Sequence, residues 1–170
     1  MSSEDEAFLL EVYGKLAGCD ANLVYLSDEG KVEGNILAIK HFDKCERHEL
    51  LKNASLLVCP RRHPGFESTM LEAMALGCPV LASNTGSALE FIENGRTGFL
   101  LTNKPQLWAD KITAILASQA GANVPQANIF QTIVAPETLT AIKRDAREHT
   151  LSLCSERLFR EVLLEILRSI

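Results

Sequence analysis

No run of about 18 uncharged apolar residues occurs anywhere in the chain, so no segment is expected to cross a bilayer as a helix. Positive charge is also scarce: 17 lysines and arginines stand against 22 aspartates and glutamates. The resulting net charge of −5 argues against general nucleic-acid binding, which rests on a basic field. The opening residues Met1-Ser2-Ser3-Glu4-Asp5-Glu6 are acidic and lack an apolar h-region, so no secretory signal is expected there. The five cysteines, Cys19, Cys45, Cys59, Cys78 and Cys154, are odd in number and widely spaced, which argues against a disulfide framework. Most sit inside apolar runs, and buried free thiols in a reducing cytoplasm are the expectation. His41, His48, His63 and His149 show no metal-ligand spacing, and Ser83 and Ser87 lack the G-x-S-x-G elbow of a nucleophile. Internal repeats and low-complexity segments are absent.

What is present suits a soluble domain. Hydrophobic residues make up 46% and charged residues 23% of the 170, which is close to the soluble average and enough for a sizeable core. The S-x-x-E pattern at Ser3 to Glu6, followed by Phe8, Leu9, Val12, Tyr13 and Leu16, predicts an amphipathic helix over 4–17. Leu23 to Leu26 reads as a buried strand running into the turn at Asp28-Glu29-Gly30, and Ile36 to Ile39 as a second. A helix over 44–53, with Leu50 and Leu51 on its apolar side, leads to a third strand, Ser55 to Cys59, stopped by Pro60. Pro79 to Ala82 and Gly98 to Leu101 are further strands, and residues 105–117 a helix with proline in its first turn. Apolar strands alternating with helices imply an open, doubly wound, mainly parallel α/β sheet. The chain is thus expected to be one domain with its core over 4–118. An uncharged linker over 118–136 and a helical segment over 137–170 follow. The latter carries a broad apolar stripe, Leu158, Val162, Ile166 and Ile170 beside Phe159, Leu163 and Leu167, which calls for a partner surface.

The middle of the chain carries the chemistry. Gly65-Phe66-Glu67-Ser68-Thr69 is a glycine loop running into a helix that opens on small hydroxyl residues. The unpaired N–H groups of such a helix start, with the helix dipole, suit an anion. Three blocks follow one another: Pro60-Arg61-Arg62-His63-Pro64-Gly65-Phe66-Glu67 through Leu71-Glu72-Ala73-Met74-Ala75 and Gly77-Cys78-Pro79-Val80; then Thr85-Gly86-Ser87-Ala88-Leu89-Glu90; then Asn94-Gly95-Arg96-Thr97-Gly98-Phe99-Leu100-Leu101. In kind, order and spacing they resemble the C-terminal, donor-binding half of retaining nucleotide-sugar glycosyltransferases of the GT-B type, the group 1 family. The resemblance covers roughly residues 7–118 and is clearest over 50–102.

The resemblance implies a Rossmann-like half of a GT-B fold that binds a nucleoside diphosphate sugar, UDP- or GDP-linked, with no cofactor and no metal. Gly65 and Phe66 would let the diphosphate approach the backbone, and the amides of Ser68 and Thr69 would hold it. Glu72 matches the second glutamate of the family's E-x7-E motif, whose carboxylate bonds the ribose hydroxyls. The residues themselves leave a second reading of Glu72 open, because Thr69-x-x-Glu72 is also a capping box. Gly86 and Ser87 fall where the family places Gly-Gly near the phosphates, although Ser87-x-x-Glu90 has capping-box form as well. Arg61 and Arg62 read as a solvated turn or as a phosphate clamp.

Departures from the family pattern qualify the function. Pro64 stands where the first glutamate of E-x7-E would engage the donor sugar, and proline offers neither side-chain acceptor nor N–H. Glu67 adds negative charge beside the proposed diphosphate. The family's first strand and its basic Gly-Arg…Lys-Gly loop have no counterpart, and the helix between the next two strands is reduced to about residues 31–34. Charge stabilisation of the leaving group and cleft closure supply much of catalysis in such enzymes. No residue is therefore assigned a catalytic role. The expectation is a donor-binding domain that transfers sugar only with an acceptor-binding half, supplied by a partner chain or through self-association. The alternatives are a non-catalytic GT-B-like interaction module and another GT-B enzyme such as a sugar-nucleotide epimerase.

Overall fold

The computed structural model describes residues 3–16, 21–26, 31–39, 43–60, 68–120 and 135–154. Helix α1 (Ser3–Gly14) leads to strands β1 (Leu23–Leu26), β2 (Lys31–Glu33) and β3 (Ile36–Ile39). Helix α2 (Lys44–Asn53), β4 (Leu57–Cys59), α3 (Ser68–Ala75), β5 (Val80–Ser83) and the single turn α4 (Ala88–Phe91) follow. The described part closes with β6 (Phe99–Leu101), α5 (Pro105–Gln119) and α6 (Pro136–Leu153).

The strands form two three-stranded sheets, ordered β1-β3-β2 and β4-β5-β6. In the second sheet all pairing is parallel, with Leu57 opposite Val80 and Leu81 opposite Phe99. Its central strand β5 is buried at every position, as a strand covered on both faces must be. Side chains on a strand alternate between faces. Leu81 accordingly packs with Phe8, Val12, Phe99, Trp108, Ile112 and Ile115 on one side. Val80 and Ala82 pack with Leu51, Met70, Ala73 and Met74 on the other. Helices α1 and α5 cover the first face, where the rings of Phe8 and Trp108 meet edge-on at 5.5 Å and 87°. Helices α2 and α3 cover the second, and α6 serves both, giving Leu139 and Ile142 to one cluster and Ala146 to the other. The sheet is open and doubly wound, as expected from the alternation of strands and helices.

Local chemistry sets the boundaries. Helix α2 starts at a full capping box: the Asp43 side chain accepts from the Glu46 N–H at 2.8 Å, and the Glu46 carboxylate accepts from the Asp43 N–H at 3.0 Å. Helix α3 ends in a Schellman turn, with Cys78 N–H donating to Ala73 O at 2.9 Å and Gly77 N–H to Met74 O at 3.1 Å. That turn needs a left-handed residue, and Gly77 supplies it at φ 76°. Pro105 occupies the first turn of α5, where its missing N–H leaves no bond unmade.

Several expectations require correction. The segment at 31–34 is a strand ending in a turn, not a shortened helix: β2 (Lys31–Glu33) pairs antiparallel with β3, Val32 opposite Leu37. Gly34-Asn35 is a two-residue hairpin connection with glycine first, at φ 57°, a turn signal present in the sequence. The pairing places Val24, Leu37 and Val32 in one row across the first sheet, with exposures of 39%, 37% and 74%. On α2, Leu51 is buried but Leu50 is exposed, because the helix turns only one of two adjacent residues inward. Four cysteines are described and none is in a disulfide, but only Cys78 is buried; Cys45 and Cys154 are exposed, since both lie on helix surfaces or ends. Of the linker expected over 118–136, residues 118–119 instead complete α5 and residue 136 opens α6, while 121–134 and the apolar stripe at 155–170 lie outside the described residues.

Candidate functional site

Because β4, β5 and β6 run parallel, their carboxyl ends lie along one edge of the sheet, the edge at which open α/β sheets take ligands. Three segments of the described chain reach it. Helix α3 begins after β4, with Ser68 exposed and Thr69 half-buried at its opening. The N–H groups of a first helical turn have no partner within the helix and carry partial positive charge. After β5 the chain turns through Asn84, Thr85 and Gly86, with Gly86 at φ 56°. After β6 come Thr102 and Asn103. The ends of β5 and β6 are tied together: buried Ser83 Oγ donates to Asn103 Oδ1 at 2.6 Å, and Asn84 N–H donates to Leu101 O at 3.0 Å. Trp108 Nε1–H donates to Thr102 O at 2.9 Å, which holds the turn after β6 against α5.

Glu72 lies on α3, one turn in from the helix opening. Neither of its sequence-based roles anticipates its partner. Arg47 Nε donates to Oε2 at 2.8 Å and Arg47 Nη2 donates to Oε1 at 3.1 Å, a bidentate pair reaching from α2. His48 Nε2 stands 3.4 Å from Oε2. The capping-box reading is thereby set aside, because the carboxylate is turned to α2 instead of its own helix terminus. Ser87 likewise does not cap: it already has helical backbone, φ −63° and ψ −20°, and makes no side-chain cap bond. Glu90 is exposed.

In the block Asn94 to Leu101, residues 94–98 lead into the amino end of β6 and serve the backbone. Thr97 Oγ1 accepts from Glu93 N–H at 2.9 Å, and Asn94 Oδ1 accepts from Leu100 N–H at 3.0 Å. Of the residues singled out from sequence, Ser68, Thr69, Glu72, Gly86 and Ser87 belong to the described chain. Gly65, Phe66, Arg61 and Arg62, with Pro64 and Glu67, lie outside it. Arg47 and His48 were missed, and no local signal marks them: they meet Glu72 across 25 and 24 residues of sequence. Among the described residues no three His, Cys, Asp or Glu side chains group as a metal site. Nor is any described helix long and apolar enough to cross a membrane.

Buried titratable groups lie away from this edge. Burial of Cys78 beneath α3 pushes its thiol up to about 11. Lys111 sits over the Phe99 ring, 4.5 Å from its centroid, and burial there lowers its pKa.

An open parallel sheet covered on both faces, with a helix opening and a glycine turn at the strands' carboxyl ends, is the architecture of a doubly wound nucleotide-binding domain. Comparison with known proteins agrees. The sequence model of the family described as glycosyl transferases group 1 matches residues 2–131, and the chain belongs to that family. An alpha-1,3/1,6-mannosyltransferase of Rhizomucor pusillus is 34% identical over 80 residues, covering 47% of this chain and 18% of its own length. A D-inositol 3-phosphate glycosyltransferase of Paenarthrobacter aurescens is 32% identical over 109 residues, covering 61% of this chain and 26% of its own length. The chain therefore aligns with about a quarter or less of these relatives. Among solved structures, a glycosyltransferase from Rickettsia africae superposes with a TM-score of 0.79 at 22% identity, over 99% of this chain and 45% of that one. An Anabaena protein, HepE, solved with UDP-glucose, superposes at 0.64 and 16% identity, over 100% of this chain and 54% of its own. These likenesses establish the shared fold.

Proposed function

We propose that the chain is the donor-binding part of a retaining glycosyltransferase, holding a nucleoside diphosphate sugar along the carboxyl edge of β4, β5 and β6. The observation that carries this reading is the placement of Ser68, Thr69, Glu72 and Gly86 around one edge of a parallel sheet in a chain of the group 1 family. The diphosphate would lie at the α3 opening, on the amides of Ser68 and Thr69 and the loop of Gly65 and Phe66, with Arg61 and Arg62 as candidate clamps. Gly86 and Ser87 would face it from the next turn, and Glu72 would accept the ribose hydroxyls. The Anabaena structure with UDP-glucose supports a uridine nucleotide, with guanosine as the alternative.

Sugar transfer requires an acceptor-binding part. The two solved relatives are roughly twice as long as the segment that matches this chain. We assign acceptor binding to residues beyond these 170, in the same polypeptide or in a partner chain, or to a second copy of the chain. We place the protein in the cytoplasm, in line with four described cysteines none of which is in a disulfide.

Titration of the chain with UDP, GDP and UDP-glucose, followed by amide chemical shifts, tests the reading. Weak saturable binding near roughly 1 mM, about −4 kcal/mol, is expected. Glu72→Gln should weaken it by about 1–3 kcal/mol. No saturable change with any of the three, or a Glu72→Gln variant that binds like the parent, overturns it. A module that binds without turnover is the second reading, favoured by the closed Arg47–Glu72 pair. It predicts binding with no sugar transfer even when an acceptor-binding part is supplied.

A further inference from the structure

The Arg47 fork approaches Glu72 side-on, and each of its two N–H prongs takes one carboxylate oxygen. A guanidinium bound this way uses the two lone pairs that point along the same edge of the carboxylate. A pair of neighbouring sugar hydroxyls bonding both oxygens of one carboxylate needs that same edge, because the remaining lone pairs diverge and cannot be reached by two adjacent donors at once. The fork and a vicinal diol are thus alternative occupants of one edge of Glu72.

The arrangement is built rather than incidental. Arg47 follows directly on the Asp43–Glu46 capping box, which fixes the start of α2. Helix α2 packs on α3 through Leu51, Met70, Ala73 and Met74. His48, the next residue on α2, stands on the same carboxylate oxygen as Arg47 Nε. The pair is also accessible: the side chains of Arg47 and Glu72 are 32% and 25% exposed. Water can therefore take over the guanidinium when another donor arrives.

We propose that Arg47 is an internal competitor that closes the diol-binding edge of Glu72, so that a nucleoside diphosphate must displace it to bind. Arg47 thereby sets the affinity of the site and selects ligands that bring both a ribose diol and a diphosphate. This inference rests on the reading of Glu72 as the ribose acceptor. The two can fail separately.

The test compares the full chain with its Arg47→Met, Arg47→Lys and Glu72→Gln variants, titrated with UDP and with 2′-deoxy-UDP, which lacks the diol. Arg47→Met should tighten UDP by about two- to fivefold, the range expected for releasing a partly exposed ion pair. The affinity of 2′-deoxy-UDP should change by less, a selectivity that a merely structural role would not move. Arg47→Lys keeps the charge but gives up the second prong, and should tighten UDP by a smaller factor. It also keeps the proposal testable if the methionine variant does not fold. Arg47 variants that bind UDP as the parent does, or more weakly, overturn the competition even while Glu72→Gln weakens binding. If Glu72→Gln has no effect and the parent binds UDP and 2′-deoxy-UDP equally, the ribose reading fails instead, and the competition fails with it.

Discussion

Replacing Gly98 by alanine tests how closely the turn before β6 is packed against the centre of the sheet. A Cβ at this position would stand 3.0 Å from Ile92 Cγ2 and 3.1 Å from the backbone oxygen of Val80. The Ile92 methyl belongs to a side chain and can give way. The Val80 oxygen cannot, because β5 is paired on both sides and fully buried. Overpacking of this kind costs about 1–3 kcal/mol. Gly98 has no left-handed backbone, so the substitution also restricts the unfolded chain, which returns about 0.4–1 kcal/mol. The net loss is about 1–2 kcal/mol, and at about 2–4 °C per kcal/mol for a domain of this size the melting temperature falls by roughly 2–8 °C. Gly77→Ala is the contrasting case: nothing lies within 4 Å of its added Cβ, but its φ of 76° imposes a left-handed penalty of about 1–2 kcal/mol. Thermal unfolding by circular dichroism reads both. A Gly98→Ala protein that melts at or above the parent temperature refutes the packing argument.

Burial raises the Cys78 thiol to about 11 from an ordinary value of 9.0, so the unfolded chain loses that proton first. The neutral thiol's contribution to stability is fully present below about pH 9 and fades as the pH climbs through about 11; Cys78→Ala should flatten that part of a stability-versus-pH curve measured by urea unfolding. In the folded protein at neutral pH, exposed Cys45 and Cys154 should be alkylated well before Cys78, as mass spectrometry of the peptides would show; simultaneous labelling would contradict the burial. Trp108→Phe removes the bond to Thr102 O inside a fully buried site and should destabilise by about 1–3 kcal/mol, with equal stability as the opposing result. Asp43→Ala should cost about 1 kcal/mol through the lost cap of α2. By loosening the start of the helix that carries Arg47, it should also alter nucleotide affinity, which a repeat of the UDP titration would detect.

The order of strands and helices was legible in the amino-acid sequence because it is written in local signals. Apolar runs such as Val80 to Ser83, helix punctuation such as Gly77-Cys78-Pro79 and the proline opening α5 act over a few residues. The Gly34-Asn35 hairpin was equally local, although the family pattern suggested a shortened helix there. The blocks around Glu72 and Gly86 were likewise legible as those of the group 1 family. Three features were settled only by the tertiary structure. Thr69 and Glu72 have the spacing of a cap, but Glu72 turns to Arg47 because α2 packs beside α3 and brings a guanidinium within reach. Leu50 and Leu51 are alike in sequence, and only the packing of α2 decides that Leu51 is the buried one. Val24, Val32 and Leu37 become one exposed row only through the register of three strands. Periodicity reports which face of an element is apolar; it does not report which distant element meets that face, and an ion pair 25 residues apart depends on that meeting.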